Sequence, residues 1–403
     1  MLSALVAIAL FRTILVGCAP GDPPLAPALS TARPGDTIEV CGRQLGAIAI
    51  PAGVTVRGRA GSGAILDGDG APVVVDLAGG ARLSSIAVRG DGGRLDRDDA
   101  AVRLRGVGAE VAGVRVESSA FGIYLAGAIR ARVSDCEVAG APGLPSAARG
   151  NGIHLWNSRH SRIERCRVHD TRDGIYLSFA HDNLIADNDV SRVRFGIHYM
   201  YSDNNQVIGN RLRENTVGAA LMFSKNNRFQ RNRCDHNLRY GMLFKDVDSS
   251  EITGNQLGDN GEGLSMQQSY GNRVSGNRIA DNTVGIQMSA ASSDNLVVGN
   301  LFANNAQQVL MHGARDNRWD DGRAGNFWSD YTGVDENGDG IGDTEYRAGD
   351  LAGYLADAYP LVRVLEAGPA YDAIRFAESA FPVIDYPGVV DHRPLAAPPR
   401  EFP

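Results

Sequence analysis

The chain has no apolar run long enough to cross a membrane as a helix. Its one conspicuous apolar stretch, Met1 to Phe11, stops at Arg12, far short of the ~20 residues a span requires. Positive charge is also scarce: the formal net charge is −7, which argues against nucleic acid or an anionic membrane as the main partner. No Ser-His-Asp constellation, phosphate-cradling Gly loop or zinc-ligand spacing occurs. The dense Leu pattern of a leucine-rich repeat is missing as well.

What is plentiful is glycine. There are 49, about 12% against an average of roughly 7%, in a chain that is 43% apolar and therefore able to build a core. Glycines at 122, 152, 174, 196, 218, 241, 263 and 285 are 22 residues apart, except for one interval of 23 and one of 30. The long interval holds an insertion around Gly140 to Gly150, expected to protrude. Each Gly is followed by an apolar or small residue (Ile123, Ile153, Ile175, Ile197, Ala219, Met242, Leu264, Ile286). Eleven residues on, or twelve in the last coil, comes Val133, Ile163, Ile185, Val207, Phe229, Ile252, Val274 or Val297. Sixteen on, or seventeen in the last, comes Val138, Val168, Val190, Leu212, Cys234, Leu257, Ile279 or Phe302. Between the last two columns runs Cys136, Cys166, Asn188, Asn210, Asn232, Asn255, Asn277, Asn300.

Three short apolar segments per 22 residues cannot bury themselves in one coil, so like residues must stack on like residues in the next. The fold class expected is all-β: a right-handed parallel β-helix, with the Asn column forming amide ladders in its turns. Shorter alternations at Thr37–Val40, Val54–Val56, Val73–Val75 and Leu83–Val88 extend it towards the N-terminus. The expected divisions are an export signal over 1–18, a cap or linker with a short helix from Leu25 over 19–36, the β-helix over 37–320 and a C-terminal cap over 321–403. Trp319 is assigned to the Val133 column, Trp328 and Tyr331 to a new element, and Tyr371 to Ala380 to a helix.

Leu15-Val16-Gly17-Cys18 has the small residues of a cleavage site and fits a lipoprotein box, which would leave Cys18 lipid-anchored; if retained, Cys18 pairs with Cys41. Cys136 and Cys166 share a column on successive coils, a spacing compatible with a disulfide. Cys234 falls among inward residues and reads as a buried thiol.

Alternation along the strand after each Gly sends odd positions inward and even ones outward. The outward side chains include Tyr124, His154, Tyr176 and His198 two residues after Gly, and Trp156, Ser178, Met200 and Met222 four after. Thioethers usually fill cores. Here His198 and Met200 share one face of one strand, ~6–7 Å apart, with Met222 one rung over Met200. Two thioethers and an imidazole form a soft ligand set suited to Cu(I). Met266 and Met288 point inward; Met311 with His312 is a weaker candidate. Asp335, Asn337, Asp339 and Asp343 follow most of a calcium-loop pattern, although Tyr346 stands where the closing Glu would be. The outward columns hold no Asp or Glu, so a carbohydrate-active enzyme of the lyase or epimerase type is the runner-up, and a metal-free docking scaffold the third reading.

Several strings resemble the NosD family of β-helical maturation factors of nitrous oxide reductase. They are Gly150-Asn151-Gly152-Ile153-His154-Leu155-Trp156-Asn157-Ser158, Gly196 to Asn205, Gly218 to Ser224, Leu243 to Asp248, Gly325-Asn326-Phe327-Trp328 and Val390-Asp391-His392-Arg393-Pro394-Leu395. The resemblance implies a periplasmic, non-enzymatic partner of an ABC transporter permease. It would receive copper from a lipoprotein copper chaperone and pass it to the copper–sulfide centre of the reductase. It further implies a transient Cu(I) site at His198, Met200 and Met222, with His154, Trp156 and Tyr176 lining a docking surface.

Overall fold

The computed structural model describes residues 11–348, apart from 91, 142, 290 and 315, then residues 388–399 and the isolated positions 368, 369, 373 and 376. The helix expected over Tyr371 to Ala380 lies outside the described residues. The chain divides into two compact units, residues 1–184 and 185–403. Each is a stack of coils in which three short strands per turn pair in parallel with those of the next coil, giving a right-handed parallel β-helix.

In the first unit the ladder begins earlier than the sequence suggests. Thr13–Val16, inside the segment assigned to export, pairs in register with Thr37–Val40, which pairs with Thr55–Gly58. Cys18 is bonded to Cys41, with their Cα atoms 4.9 Å apart, so its sulfur is engaged in a disulfide rather than a thioether to lipid. The helix at Leu25–Thr31 packs Leu25, Ala28 and Leu29 inward. The run Leu83–Val88 splits into Arg82–Ser84 and Ala87–Gly90, because Ser85 turns the chain at φ 52°. Asp36 ties this end down: it accepts from the Arg12 guanidinium at 2.6 Å and from the backbone N–H groups of Arg12 and Arg33. These donors hold its carboxyl well below the usual carboxylate range. A depressed folded pKa contributes stability above the unfolded value of about 3.9, lost as pH falls through the folded one. Asp36→Asn should therefore flatten the acid limb of the stability–pH curve below about pH 4, measured by melting at several pH values.

The second unit shows why the repeat has the residues it has. The columns read as inward are indeed the core: Val207, Phe229, Ile252, Val274, Leu212, Cys234, Ile279, Ile197, Ala219, Met242, Met266 and Met288 are all fully buried. The Gly column is set by close approach. A Cβ on Gly218 would stand 2.4 Å from the carbonyl oxygen of Gly241, and one on Gly241 would stand 2.6 Å from that of Gly263. The Asn column forms the expected ladder: the backbone N and the Nδ2 of Asn232 both donate to Asn255 Oδ1, and those of Asn255 to Asn277 Oδ1. A second ladder, Asn215, Asn237, Asn260, Asn282 and Asn305, runs beside it. Turn amides that no strand can pair are thus satisfied inside the stack.

Tyr199 is an oddity of this core. Its ring lies among the inward residues, 6.0 Å from that of Phe229, and its fully buried hydroxyl has no hydrogen-bond partner. Burial pushes its ionisation far above the usual tyrosine range. Removing an unpaired buried hydroxyl relieves a desolvation cost. Tyr199→Phe should stabilise the unit by about 1 kcal/mol, read as an upward shift in melting temperature.

The solenoid continues past residue 320. Trp319 follows Val297 as expected, since Leu296 bridges Arg318. Trp328, however, starts no new element: it pairs with Phe302 and extends that core column. Its ring stacks on Phe302 at 4.4 Å and on Tyr346 at 4.3 Å, closing the end with an aromatic plug. The C-terminal segment latches over it. Buried Asp391 accepts from Asn326 N at 2.7 Å and from Trp328 Nε1 at 2.9 Å, and a Cβ on Gly325 would overlap its carboxylate.

Cys136 and Cys166 are buried free thiols. They share a column as expected but are not bridged: Cys136 Sγ turns to Ser134 O at 3.2 Å and Cys166 Sγ to Glu164 O at 3.4 Å. Cys234 is a buried thiol, as expected.

Candidate functional site

The soft patch lies in the second unit, on the outer face of the sheet containing Phe195–Met200, Val217–Lys225 and Tyr240–Asp248. The register places Met200 opposite Met222 and His198 opposite Ala220. The thioethers are therefore one rung apart, about 4.8 Å between strands, and the imidazole lies two residues back on the same face. Both methionines are half-buried, reachable from solvent without being loose.

The wall is less open at His198 than simple alternation implies. His198 is only 8% exposed, because Phe195 roofs it: the rings meet edge to face at 4.7 Å. The guanidinium of Arg194 lies 4.4 Å above Phe195 in turn. Opposite His198, Ala220 is fully buried and leaves no bulky side chain against the imidazole.

Two aromatic residues beside the thioethers were not singled out from the sequence. Tyr201 and Phe223, each following a methionine, stack at 5.0 Å with an interplanar angle of 14° and are 44% and 39% exposed. Both hold φ near +50°, a left-handed conformation uncommon for large side chains and often a sign of a functional constraint. The signal was available: the alignment that pairs Met200 with Met222 also pairs Tyr201 with Phe223.

In the first unit, Tyr124, His154 and Tyr176 fall in register, as do Ala126, Trp156 and Ser178. His154 is packed among rings, 4.6 Å from Phe121, 5.1 Å from Tyr124 and 4.8 Å from Tyr176. Trp156 is 47% exposed and is the accessible member of the expected docking set.

The Asp335 loop turns its oxygens inward upon itself. Asp335 accepts from the backbone N–H groups of Gly338, Asp339 and Gly340, Asn337 from that of Asp339, and Asp343 from that of Glu336. A calcium ion would have to compete with these amides. Met311 pairs with inward Met288 and is itself half-buried, beside His312. Among the described residues, no three His, Cys, Asp or Glu side chains gather into a metal-binding group.

Residues 129–333 match the family model described as "Periplasmic copper-binding protein (NosD)". A Pseudomonas aeruginosa protein named "Probable ABC transporter binding protein NosD" is 34% identical over 362 residues, covering 86% of this chain and 85% of that one. The chain belongs to the NosD family. A Stutzerimonas stutzeri protein of the same name is 46% identical over 89 residues, 22% of this chain and 20% of its own. Among solved structures, the Dettilon tailspike protein gp208 aligns with a TM-score of 0.56 at 16% identity, over 70% of this chain and 64% of that one, a likeness of fold alone. Membership in NosD places the chain within the Nos system and associates it with an ABC transporter.

Proposed function

We propose that this NosD protein is a periplasmic copper carrier rather than an enzyme. In this reading it takes Cu(I) from a lipoprotein chaperone and, with an ABC transporter permease, hands it to the copper–sulfide centre of nitrous oxide reductase. Copper is cargo here, not a resident cofactor. The observation that carries the reading is the pairing of Met200 with Met222 on the face that also bears His198.

Three features support it. Thioether and imidazole are neutral, soft donors that suit Cu(I) and exclude hard cations. The family description names copper, yet no cluster of His, Cys, Asp or Glu is present among the described residues, which leaves the thioethers as the natural ligands. A set without thiolates also binds weakly enough to release its cargo. The small Ala220 and the half-buried methionines leave an approach for a partner's ligands, so copper can pass by ligand exchange without entering water.

Anaerobic Cu(I) titration of the full chain against a chromophoric chelator tests this. One equivalent should bind and be surrendered to a thiolate acceptor; the absence of any competition with the chelator would contradict the carrier reading and leave a docking scaffold. Incubation with uronate polymers tests the runner-up enzyme reading, for which sustained product formation is the required result. A glycosidase needs two carboxyls across the scissile bond. The outer face of this sheet offers Glu262 beside Ser265 and Gln287, with no second carboxylate among its register partners.

A further inference from the structure

Further along the same outer face of the second unit, the side chains change from soft and apolar to hydrogen-bonding. Ser265 pairs in register with Gln287, Gln267 with Ser289, and Tyr240 with Glu262. Glu262 was not visible as an outward group from the sequence, because it precedes Gly263, where the counting of alternation began. Gln287, with its amide oriented to satisfy both partners, donates to both Glu262 carboxyl oxygens at 2.5 and 2.9 Å. Ser265 is fully buried; it lies near enough to Glu262 to favour the charged carboxylate, yet its hydroxyl closes no hydrogen bond of normal geometry. Burial nevertheless raises the Glu262 carboxyl above its usual range, with Arg239 and His312 pulling in the opposite direction.

We propose that this niche, formed by Tyr240, Glu262, Ser265, Gln267, Gln287 and Ser289, binds a neutral oligosaccharide. A buried hydroxyl without a partner is costly unless a ligand supplies one. Amides and hydroxyls, each able to donate and accept, surround a single carboxyl held in place by Gln287; this is the set that recognises neighbouring sugar hydroxyls. Flanking Arg239 and His312 offset the carboxyl's charge, so the niche favours a neutral chain over a polyanion. Equivalent side chains recur at each rung of ~4.8 Å, so a linear saccharide laid along the coil axis meets hydrogen-bonding groups again and again. Half-buried Tyr240, with Arg239 5.0 Å from its ring centre, supplies an aromatic surface at one edge. With one carboxyl rather than two, the niche binds without cleaving.

The test is isothermal titration of the full chain with cellohexaose, and in parallel with hexagalacturonate as the acidic arm. Saturable cellohexaose binding is expected, weakened at least about 10-fold, or about 1.4 kcal/mol, by Glu262→Gln and by Gln287→Ala. Melting temperature and Cu(I) binding should be unchanged in both variants. Met200→Leu/Met222→Leu should bind the saccharide as the parent does, which separates this niche from the copper reading. No saturable binding of either saccharide, equal binding by the parent and both niche variants, or tighter binding of the uronate would each overturn the proposal.

Discussion

Asn255→Ala should destabilise the second unit by about 3–5 kcal/mol. The Asn255 side chain is fully buried and meets four groups at once. Its Oδ1 accepts from the backbone N and the Nδ2 of Asn232, and its Nδ2 donates to Phe229 O and to Asn277 Oδ1. Truncation leaves a backbone N–H and a carbonyl buried without partners, and each such orphan costs about 1–3 kcal/mol. A repeat stack unfolds by neighbouring coils, so the loss should appear first as faster amide exchange in residues 228–280. Asn255→Asp is the informative companion. It keeps the shape and the acceptor but points a carboxylate at Phe229 O and Asn277 Oδ1. Burial raises its folded pKa, so its stability should be best at low pH, where it can donate as an acid, and should fall as pH rises through that pKa.

Met200→Leu/Met222→Leu should weaken Cu(I) binding about 100-fold or more, equivalent to about 2.8 kcal/mol, while leaving the melting temperature within a degree or two. Leucine keeps the volume of a half-buried methionine and removes only its sulfur. The single variants should fall between, and Ser178→Ala should not change affinity. His198→Ala should lower affinity too, but it also empties a position covered by Phe195, so a small stability loss will accompany it.

Most of the fold could be read in the sequence because a solenoid repeats its evidence. A single Val–Gly–Asn spacing is weak; eight in register identify the inward columns and the amide ladder. The second ladder, Asn215 to Asn305, was equally legible, standing nineteen or twenty residues after each Gly. What misled was local geometry at the Gly column. Because the chain packs so closely there, residues just before Gly do not follow strict alternation, and Phe195 and Glu262 share the outer face with His198 and Gln287. That is why His198 was expected in the open and is covered. The thiols of Cys136 and Cys166 obey their column but turn to carbonyls of their own turns, a rotamer choice that spacing does not encode. At the ends, Trp328 and Thr13–Val16 lie where the period has faded, and only pairing reveals them as coils.

For the candidate site, the sequence supplied the residues and their register; the structure added the cover on His198 and the Tyr201–Phe223 pair. The measurement that bears most directly on the account is X-ray absorption at the copper edge of the Cu(I)-loaded full chain. The account predicts a Cu(I) first shell dominated by sulfur, with one imidazole nitrogen, and loss of the sulfur scattering in Met200→Leu/Met222→Leu. A shell of nitrogen and oxygen alone, or sulfur scattering that survives in that variant, would contradict it.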